Sequence, residues 1–456
     1  QADDADLSLL LSNYEPTAPT GAPAAATLSA DAPLTADNGT TWYVRPKGGT
    51  YGLENGTSYA NAWDGFDQIV MGPDGVEAGD TLYICGTHIH EIGNPGWSGI
   101  TKVPPSGTAE NPTVVRMDYP GDPGVLWASY YKADAVWEQH AGDVYYTDSY
   151  NGIRSPWSDV VYQDCWMGAD GRALEIADSL AAMTEGSSYW DANDRLYVWA
   201  DGGQNPGDAG STHGKIYMPW SRGYWLQVGS ASYVTFLNCT YRDMCIEGAT
   251  SDPRPTHITF DGCDLRYGVK QEAIEFSGRS DYWTFRDCTF ADFGNGVYGH
   301  SDGGIAPYYA TVQNCTFSDM GIEPFYHQDG HAIGGQNSHG WLIEGNVIHN
   351  TGPAIEMWEG STSLTDNVIR YNFVRAPRDQ DGAVNWTAGI GFSGGGADGN
   401  LVYGNIVVDS PVWGIRGTGD TAAILATYDN VVANTAEAYY RGGSGTEWVG
   451  ANNIAY

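Results

Sequence analysis

The residues with the greatest capacity for chemistry lie between positions 300 and 359. Five of the ten histidines fall in this window, at positions 300, 327, 331, 339 and 349. Asp329 and Glu356 are 27 residues apart. If one structural repeat separates them, their carboxyls lie within roughly 5–9 Å of each other, the span that paired carboxylates use to cleave glycosidic bonds. His331 is then placed to hold or tune one carboxylate by hydrogen bonding.

A second acidic pair is Glu247 and Glu275, which are 28 residues apart. Two carboxylates at equivalent positions of adjacent repeats raise one pKa, as a general acid requires, or bind a cation between them. We therefore assign Glu275 a catalytic role, and Glu247 with Glu272 a metal-binding role. No alternating-aspartate loop is present, so we expect no required cofactor, and a bound Ca²⁺ is left as an alternative.

Polar and aromatic residues around these acids are candidates for binding substrate. They are Lys270, Tyr298, His300, Asp302, His327, Gln336, Trp358, Glu359 and Arg416. An aromatic ring such as that of Trp358 stacks on the apolar face of a sugar. Each residue alone is better explained as part of an ordinary solvated sheet face, whereas their density predicts a site.

A repeat explains how these residues are positioned. One position of the repeat is first cysteine and then asparagine. It reads Cys239, Cys263, Cys288, Cys315, Asn346, Asn367, Asn405, Asn430 and Asn453. Such a repeat predicts turns of short strands that stack about 4.8 Å apart around one core. We expect the asparagines to form a ladder inside a bend and the cysteines to be buried free thiols.

A second repeated phrase places an Ile or Val between a small residue and an outward residue. The apolar positions are Ile246, Ile274, Val297, Ile333, Ile355, Ile390 and Ile415. Because side chains alternate along a strand, these residues point inward and the next residue points outward. The pattern over residues 220–456 resembles the right-handed parallel β-helix of the pectate-lyase-like superfamily. That resemblance implies an all-β solenoid with a polymer-binding groove on one sheet.

The remaining segments are predicted to cap or decorate this solenoid. Residues 1–40 are expected to be a linker, and residues 41–456 a single β-helix domain. Residues 58–72 have apolar residues on a helical spacing and are expected to cap the first turn. Residues 133–219 interrupt the repeat and are expected to form a β-hairpin insertion. Similar phrases occur in β-helix glycoside hydrolases that act on plant and algal glycans.

Composition restricts the partners of the protein. The chain has 56 acidic and 21 basic side chains and a net charge of −35, which argues against nucleic-acid binding. No apolar run approaches the ~18 residues of a membrane span. The N-terminal composition and low lysine content favour a secreted or periplasmic protein. We expect a monomer with a polysaccharide partner.

The favoured function is hydrolysis of a polysaccharide by paired carboxylates. One alternative is β-elimination on a glycan rich in uronic acids, with Lys270 as the base and Ca²⁺ bound by Glu272 and Glu275. Another alternative is a glycan-binding solenoid, or adhesin, without catalytic activity.

Overall fold

Short segments that alternate apolar and polar residues form parallel strands through most of the chain. The computed structural model describes residues 39–91, 101–131, 135–149, 162–163, 172–207, 216–218, 226–302, 304–321, 330–358, 364–375, 377, 387–394, 399–418, 423–442 and 446–455. In this part of the chain, successive turns place their strands in three parallel sheets, which we call sheets 1, 2 and 3.

Sheet 1 has thirteen strands. In spatial order they are Trp63–Asp64, Thr41–Arg45, Thr81–Ile84, Thr113–Arg116, Val234–Leu237, Ile258–Asp261, Thr284–Arg286, Thr311–Gln313, Leu342–Glu344, Val368–Arg370, Asn400–Tyr403, Ala423–Tyr428 and Thr446–Ala451.

Sheets 2 and 3 share two long strands, Asp264–Ser277 and Thr289–His300, which pass from one sheet into the other. The other parallel strands of sheet 2 are Thr87–Glu91, Val125–Tyr131, Thr240–Arg242, Thr316–Ser318, Val347–His349, Phe373–Arg375, Ile406–Val408, Val431–Ala433 and Ile454–Ala455. Sheet 3 adds Ile246–Glu247, Ile333–Gln336, Ile355–Trp358, Ala388–Ser393, Trp413–Thr418 and Glu437–Gly442.

Residues with positive φ lie at corners between the sheets. The corner between sheets 1 and 2 has Asn238, Gly262, Asp287, Asn314, Gly345, Tyr371, Gly404, Asp429 and Asn452. The left-handed conformation is tolerated best by glycine, asparagine and aspartate. Glycine, asparagine and aspartate therefore end the sheet 1 strands at this place in the repeat, with Tyr371 as the exception among the nine residues.

The core between the sheets is filled by columns of identical or similar side chains. Phe236, Phe260 and Phe285 stack with ring centroids 4.6 and 5.5 Å apart. The cysteines Cys239, Cys263, Cys288 and Cys315 are buried and free, which confirms the predicted thiol stack. The inward Ile and Val column is buried as predicted.

The predicted asparagine ladder is present, but one of its members is different. Asn346 Nδ2 donates to Asn372 Oδ1 at 2.9 Å, and Asn372 Nδ2 donates to Asn405 Oδ1 at 2.9 Å. Asn367, which the repeat alignment placed in this ladder, instead donates to Asn400 Oδ1 at 2.9 Å in a second ladder. The alignment was wrong at this residue because two corners of the same turn both use asparagine.

The N-terminal segment 58–72 is not the helix that its apolar spacing predicts. It contains two short 3₁₀ helices, Tyr59–Asn61 and Phe66–Gln68, on either side of the strand Trp63–Asp64. Gly65, at φ 101°, interrupts helical geometry, and Trp63 pairs with Val44 of sheet 1. The apolar residues of this segment still cover the first turn, because Trp63 and Phe66 belong to the core.

The predicted hairpin is confirmed within the insertion. Strands Ser187–Trp190 and Leu196–Trp199 pair antiparallel inside a five-stranded sheet that also contains Glu138–Ala141, Val144–Thr147 and Glu175–Ile176. Strands Tyr162–Gln163, Arg172–Ala173 and Ile216–Met218 add antiparallel pairings beside sheet 2. Two further 3₁₀ helices are Leu180–Ala182 and Asp201–Gly203. No helix in the described ranges has the length and hydropathy needed to cross a membrane.

Candidate functional site

The outer face of sheet 3 carries two parallel columns of side chains, which we call the sheet 3 face. The first column, in strand register, is Glu247, Glu275, Tyr298, Gly334, Glu356, Gly391, Arg416 and Tyr440. The second column lies two residues further along the strands and contains Ser277, His300, Gln336, Trp358, Ser393 and Thr418. Alternation along each strand places these residues opposite the buried Ile and Val column.

Glu356 lies at the centre of the first column between two basic side chains. His331 Nε2 is 3.1 Å from Glu356 Oε2, and Arg416 Nη2 is 3.2 Å from Glu356 Oε1. All three side chains are buried, with Arg416 only 1% and Glu356 6% exposed. Glu356 and Arg416 lie in the outward column, as predicted. Their burial was not predicted. The reason is that each one neutralises the charge of the other, so both can leave water.

These contacts keep Glu356 ionised. Burial by itself raises the pKa of a carboxyl group, yet the hydrogen bond and charge of His331 and the charge of Arg416 outweigh it, with a further hydrogen bond from Ser393. The net result is a lowered pKa for Glu356. A carboxylate of this kind suits a nucleophile or a general base and is unsuited to donating a proton.

His331 is fixed from its backbone as well as from its ring. Its N–H donates to Asn295 Oδ1 at 2.9 Å, and Asn295 is fully buried. Because an ionised carboxylate only accepts hydrogen bonds, His331 Nε2 is the donor to Glu356. Nδ1 has no hydrogen-bond partner among the residues that the structure describes.

Three rings gather beside this carboxylate over Gly334. The ring centroid of Trp358 lies 5.2 Å from that of His331 and 5.6 Å from that of Tyr298. The Tyr298 ring also stacks on the His300 ring, with centroids 5.8 Å apart. A Cβ at Gly334 would be 3.0 Å from His331 Nδ1 and 3.2 Å from ring atoms of Trp358 and Tyr298. The missing side chain at this position therefore allows the rings to close together.

Gly391 has a second role in the same column. It lies between Glu356 and Arg416 in strand register, and a Cβ built there would be 3.7 Å from Glu356 Cγ. Since Gly391 has no side chain, Arg416 reaches across one whole strand to the carboxylate. On its other side, the Arg416 guanidinium lies 5.3 Å from the ring of Trp413, which stacks on Tyr440.

Comparison with known proteins identifies the architecture. A family model described as "Right handed beta helix region" matches residues 224–407. A solved structure titled "Glycoside hydrolase" aligns with a TM-score of 0.55 at 13% identity, covering 91% of this chain and 96% of that one. The chain is a right-handed parallel β-helix.

Two further solved structures are similar to this chain. "The complex structure of XylC with xylose" aligns with the β-helix at a TM-score of 0.52 and 12% identity, covering 87% of this chain and 69% of that one. An alginate lyase from Paenibacillus sp. str. FPU-7 has a TM-score of 0.46 at 13% identity, and the alignment covers 89% of this chain and 99% of that one. A search of curated proteins found no match.

The β-helix separates the two acidic pairs that the sequence predicts. Glu247 and Glu275 are neighbours in register, as their spacing predicts. Glu275 lies three strands from Glu356, or roughly 14 Å at ordinary strand spacing, so these two do not form a carboxylate pair. Asp329, the predicted partner of Glu356, lies outside the described residues, as do His327 and Glu359.

The predicted metal site finds no support in the described ranges. Glu272 is in strand register with Asn295, and the register of the two strands shifts between Gly268 and Glu272. It is therefore not beside Glu247, which faces Glu275. No group of three or more His, Cys, Asp or Glu side chains in this part of the chain is arranged to hold a metal. Lys270 lies in a described strand, but its side chain is outside the described part of the chain.

Several residues that were predicted to bind substrate make hydrogen bonds or ion pairs with other residues of the protein. Gln336 Oε1 accepts from the backbone N–H and the hydroxyl of Ser301 at 3.1 and 2.8 Å. Asp302 Oδ2 is 2.5 Å from Arg254 Nη2. Arg416, also predicted to bind substrate, is buried against Glu356 instead. Tyr298, His300 and Trp358 remain partly exposed on the sheet 3 face.

Sequence reasoning missed Ser393, Asn295, Arg254 and Trp413. Ser393 carried a usable signal, because it follows Ile390 and Gly391 at the outward spacing of the repeat. Asn295 and Arg254 carried none, since their partners His331 and Asp302 are 36 and 48 residues away.

Proposed function

We propose that this β-helix is a glycoside hydrolase that acts on a polysaccharide, with Glu356 as its ionised catalytic carboxylate. The observation that carries the proposal is the Glu356 carboxylate held between His331 and Arg416, next to the rings of Tyr298 and Trp358. A buried, ionised carboxylate next to partly exposed aromatic rings combines a reactive anion with a surface for sugar stacking.

Hydrolysis also needs a proton donor for the departing glycosidic oxygen. We assign this role to Asp329, because it precedes His331 by two residues. In the proposed reaction, Asp329 transfers its proton to the glycosidic oxygen as the bond to the anomeric carbon breaks. Glu356 either attacks that carbon and forms an ester that water then cleaves, or it accepts a proton from the water that attacks the carbon. One water is consumed, and each new chain end carries one hydroxyl.

The lowered pKa of Glu356 supports the role that we propose for it. The lowered pKa of Glu356 keeps it anionic at neutral pH, which a nucleophile or base must be. Because a soluble polymer is the proposed substrate, we further propose that the enzyme acts outside the cell.

The first experiment incubates the full chain with a panel of neutral, uronic and sulfated polysaccharides. Reducing ends and the ultraviolet absorbance of unsaturated uronates are followed together. We expect reducing ends without absorbance. Rising absorbance would replace this proposal with β-elimination and direct attention to Lys270.

Mutation then tests the assigned residue. Glu356→Gln should reduce turnover by about 10²–10⁴-fold, the usual effect of removing a catalytic acid or base. The matched control is Glu344→Gln, which removes a carboxylate bound to Arg370 on sheet 1 and should leave turnover near the wild-type level. A folded Glu356→Gln protein with full activity would exclude this mechanism. Glycan binding without any turnover in the wild type would favour the adhesin.

A further inference from the structure

The sheet 3 face offers rings, hydroxyls, an amide and glycines to a ligand. Its partly exposed members include Tyr298, His300, Trp358, Ser393 and Thr418. Rings stack on the apolar faces of sugars, and hydroxyl and amide groups bind sugar hydroxyls. None of these contacts requires a charge on the ligand.

The permanent cations that the structure describes at this face are already bound to protein acids. Among the described residues of the two columns, the one permanent cation is Arg416, which is buried and bound to Glu356. Arg254, at the edge of the face, binds Ser277 and Asp302 and is 12% exposed. A substrate carboxylate could recruit Arg416 only by displacing Glu356, which would leave a buried carboxylate without its counter-charge.

One end of the first column is acidic. Glu247 and Glu275 occupy adjacent outward positions there, and the net charge of the chain is −35. An anionic polymer lying along the column passes these carboxylates before it reaches Glu356. Like charges brought together at a binding surface weaken binding.

We propose that the sheet 3 face binds an uncharged glycan and discriminates against the same glycan when it carries carboxylates or sulfates. The inference rests on the proposed function, because it takes the sheet 3 face to be the substrate site. It assigns Glu247 and the buried Glu356–Arg416 pair the role of specificity determinants.

The test uses pairs of polysaccharides that differ only in charge. Polygalacturonan is compared with its carboxyl-reduced galactan, alginate with its carboxyl-reduced form, and a sulfated galactan with its desulfated form. Affinity electrophoresis of the full chain measures binding without requiring cleavage. In at least one pair, the neutral member should bind about tenfold more tightly than the charged member.

A gain-of-charge variant sharpens the test. Thr418→Lys places a cation in the second column and should strengthen binding of the charged member about two- to fivefold at low salt. Thr418→Gln is the matched control of similar length without charge, and it should leave the neutral-to-charged ratio unchanged. Added salt should reduce the gain in the lysine variant.

Equal or tighter binding of the charged members overturns the proposal. If Lys270→Gln then abolishes that binding, Lys270 supplies the cation. Binding to no member of any pair overturns it as well. Neutral-selective binding without bond cleavage would disprove the hydrolase and leave this inference intact, so the two failures are distinguishable.

Discussion

Sheets 1 and 3 both carry acid–arginine pairs on their outer faces, but they build them differently. On sheet 1, Asp261 binds Arg286 and Glu344 binds Arg370, each at 2.6 Å, between adjacent strands in register. These pairs are partly exposed. On sheet 3, Glu356 binds Arg416 at 3.2 Å across an intervening strand, and both side chains are buried.

The sheet 1 pairs connect adjacent strands at the surface, whereas the sheet 3 pair holds a charged carboxylate in a buried position. Exposed ion pairs contribute about 0–1 kcal/mol because water screens them. A buried pair costs desolvation, and removing one partner destabilises by about 3–5 kcal/mol. Burial of Glu356 and Arg416 therefore gives little net stability, which fits a role in chemistry.

The largest effect should come from breaking the buried pair. Arg416→Met should lower the free energy of unfolding by about 3–5 kcal/mol, because it leaves the Glu356 carboxylate without its counter-charge. Arg286→Met on sheet 1 is the matched control and should cost about 1 kcal/mol or less. Urea unfolding at pH 7 measures both. Equal losses in the two variants would contradict the distinction between the sheets.

The same variant should change the pH dependence. The lowered pKa of Glu356 means that its contribution to stability is fully present above the ordinary value of 4.5 and is lost as pH falls through the folded-state pKa. In Arg416→Met the pKa of Glu356 should rise, so the acidic limb of a pH–activity profile should move to higher pH. An unmoved limb would mean that Arg416 does not hold Glu356 ionised.

A third arrangement sets two acids side by side, at the corner between sheets 2 and 3. The pKa of Asp292 is raised from 3.8 to about 7. Burial is the largest cause, the negative charge of Asp319 adds to it, and the positive charge of Arg266 opposes both. The folded state thus keeps a proton that the unfolded chain loses, so stability falls as pH rises from about 4 to 7 and stays low above it. Asp292→Asn should stabilise the protein at pH 8 by on the order of 1–3 kcal/mol. Thermal unfolding from pH 4 to 8 measures this, and an unchanged pH slope would refute it.

The two glycines of the first column should respond differently to the same substitution. Gly334→Ala places a Cβ 3.0–3.2 Å from His331, Trp358 and Tyr298 and should cost about 1–3 kcal/mol through overpacking. Gly391→Ala meets nothing closer than 3.7 Å and should cost less than about 1 kcal/mol. Glycan binding should weaken only in Gly334→Ala. The reverse order would mean that the rings are not packed over Gly334.

The smallest expected effect concerns the exposed pairs. Arg370→Met should cost at most about 1 kcal/mol, and 1 M salt should remove most of the difference from wild type because the pair is screened. Arg370 also donates to the Tyr403 hydroxyl at 2.7 Å, so Tyr403→Phe serves as the control for that contact. A salt-independent loss of several kcal/mol would show that sheet 1 pairs resemble the buried one.

The fold was readable from the sequence because its information is local and periodic. Cysteine and then asparagine recur at one position of the turn, isoleucine recurs at another, and both positions are buried. The errors arose where two positions of one turn use the same residue type, as with Asn367 and Asn372, or where a glycine interrupts a helical spacing, as at Gly65. Alignment alone cannot resolve either case, since loop lengths between turns vary.

Within the candidate site, strand alternation alone predicts that Glu356 points outward. The side chains that Glu356 contacts there come from distant parts of the chain. His331 and Arg416 are 25 and 60 residues away along the chain, and Arg416 reaches the carboxylate past Gly391 on the strand between them. The repeat predicts for each residue separately whether its side chain points inward or outward. A buried ion pair depends in addition on how the side chains of several turns pack together.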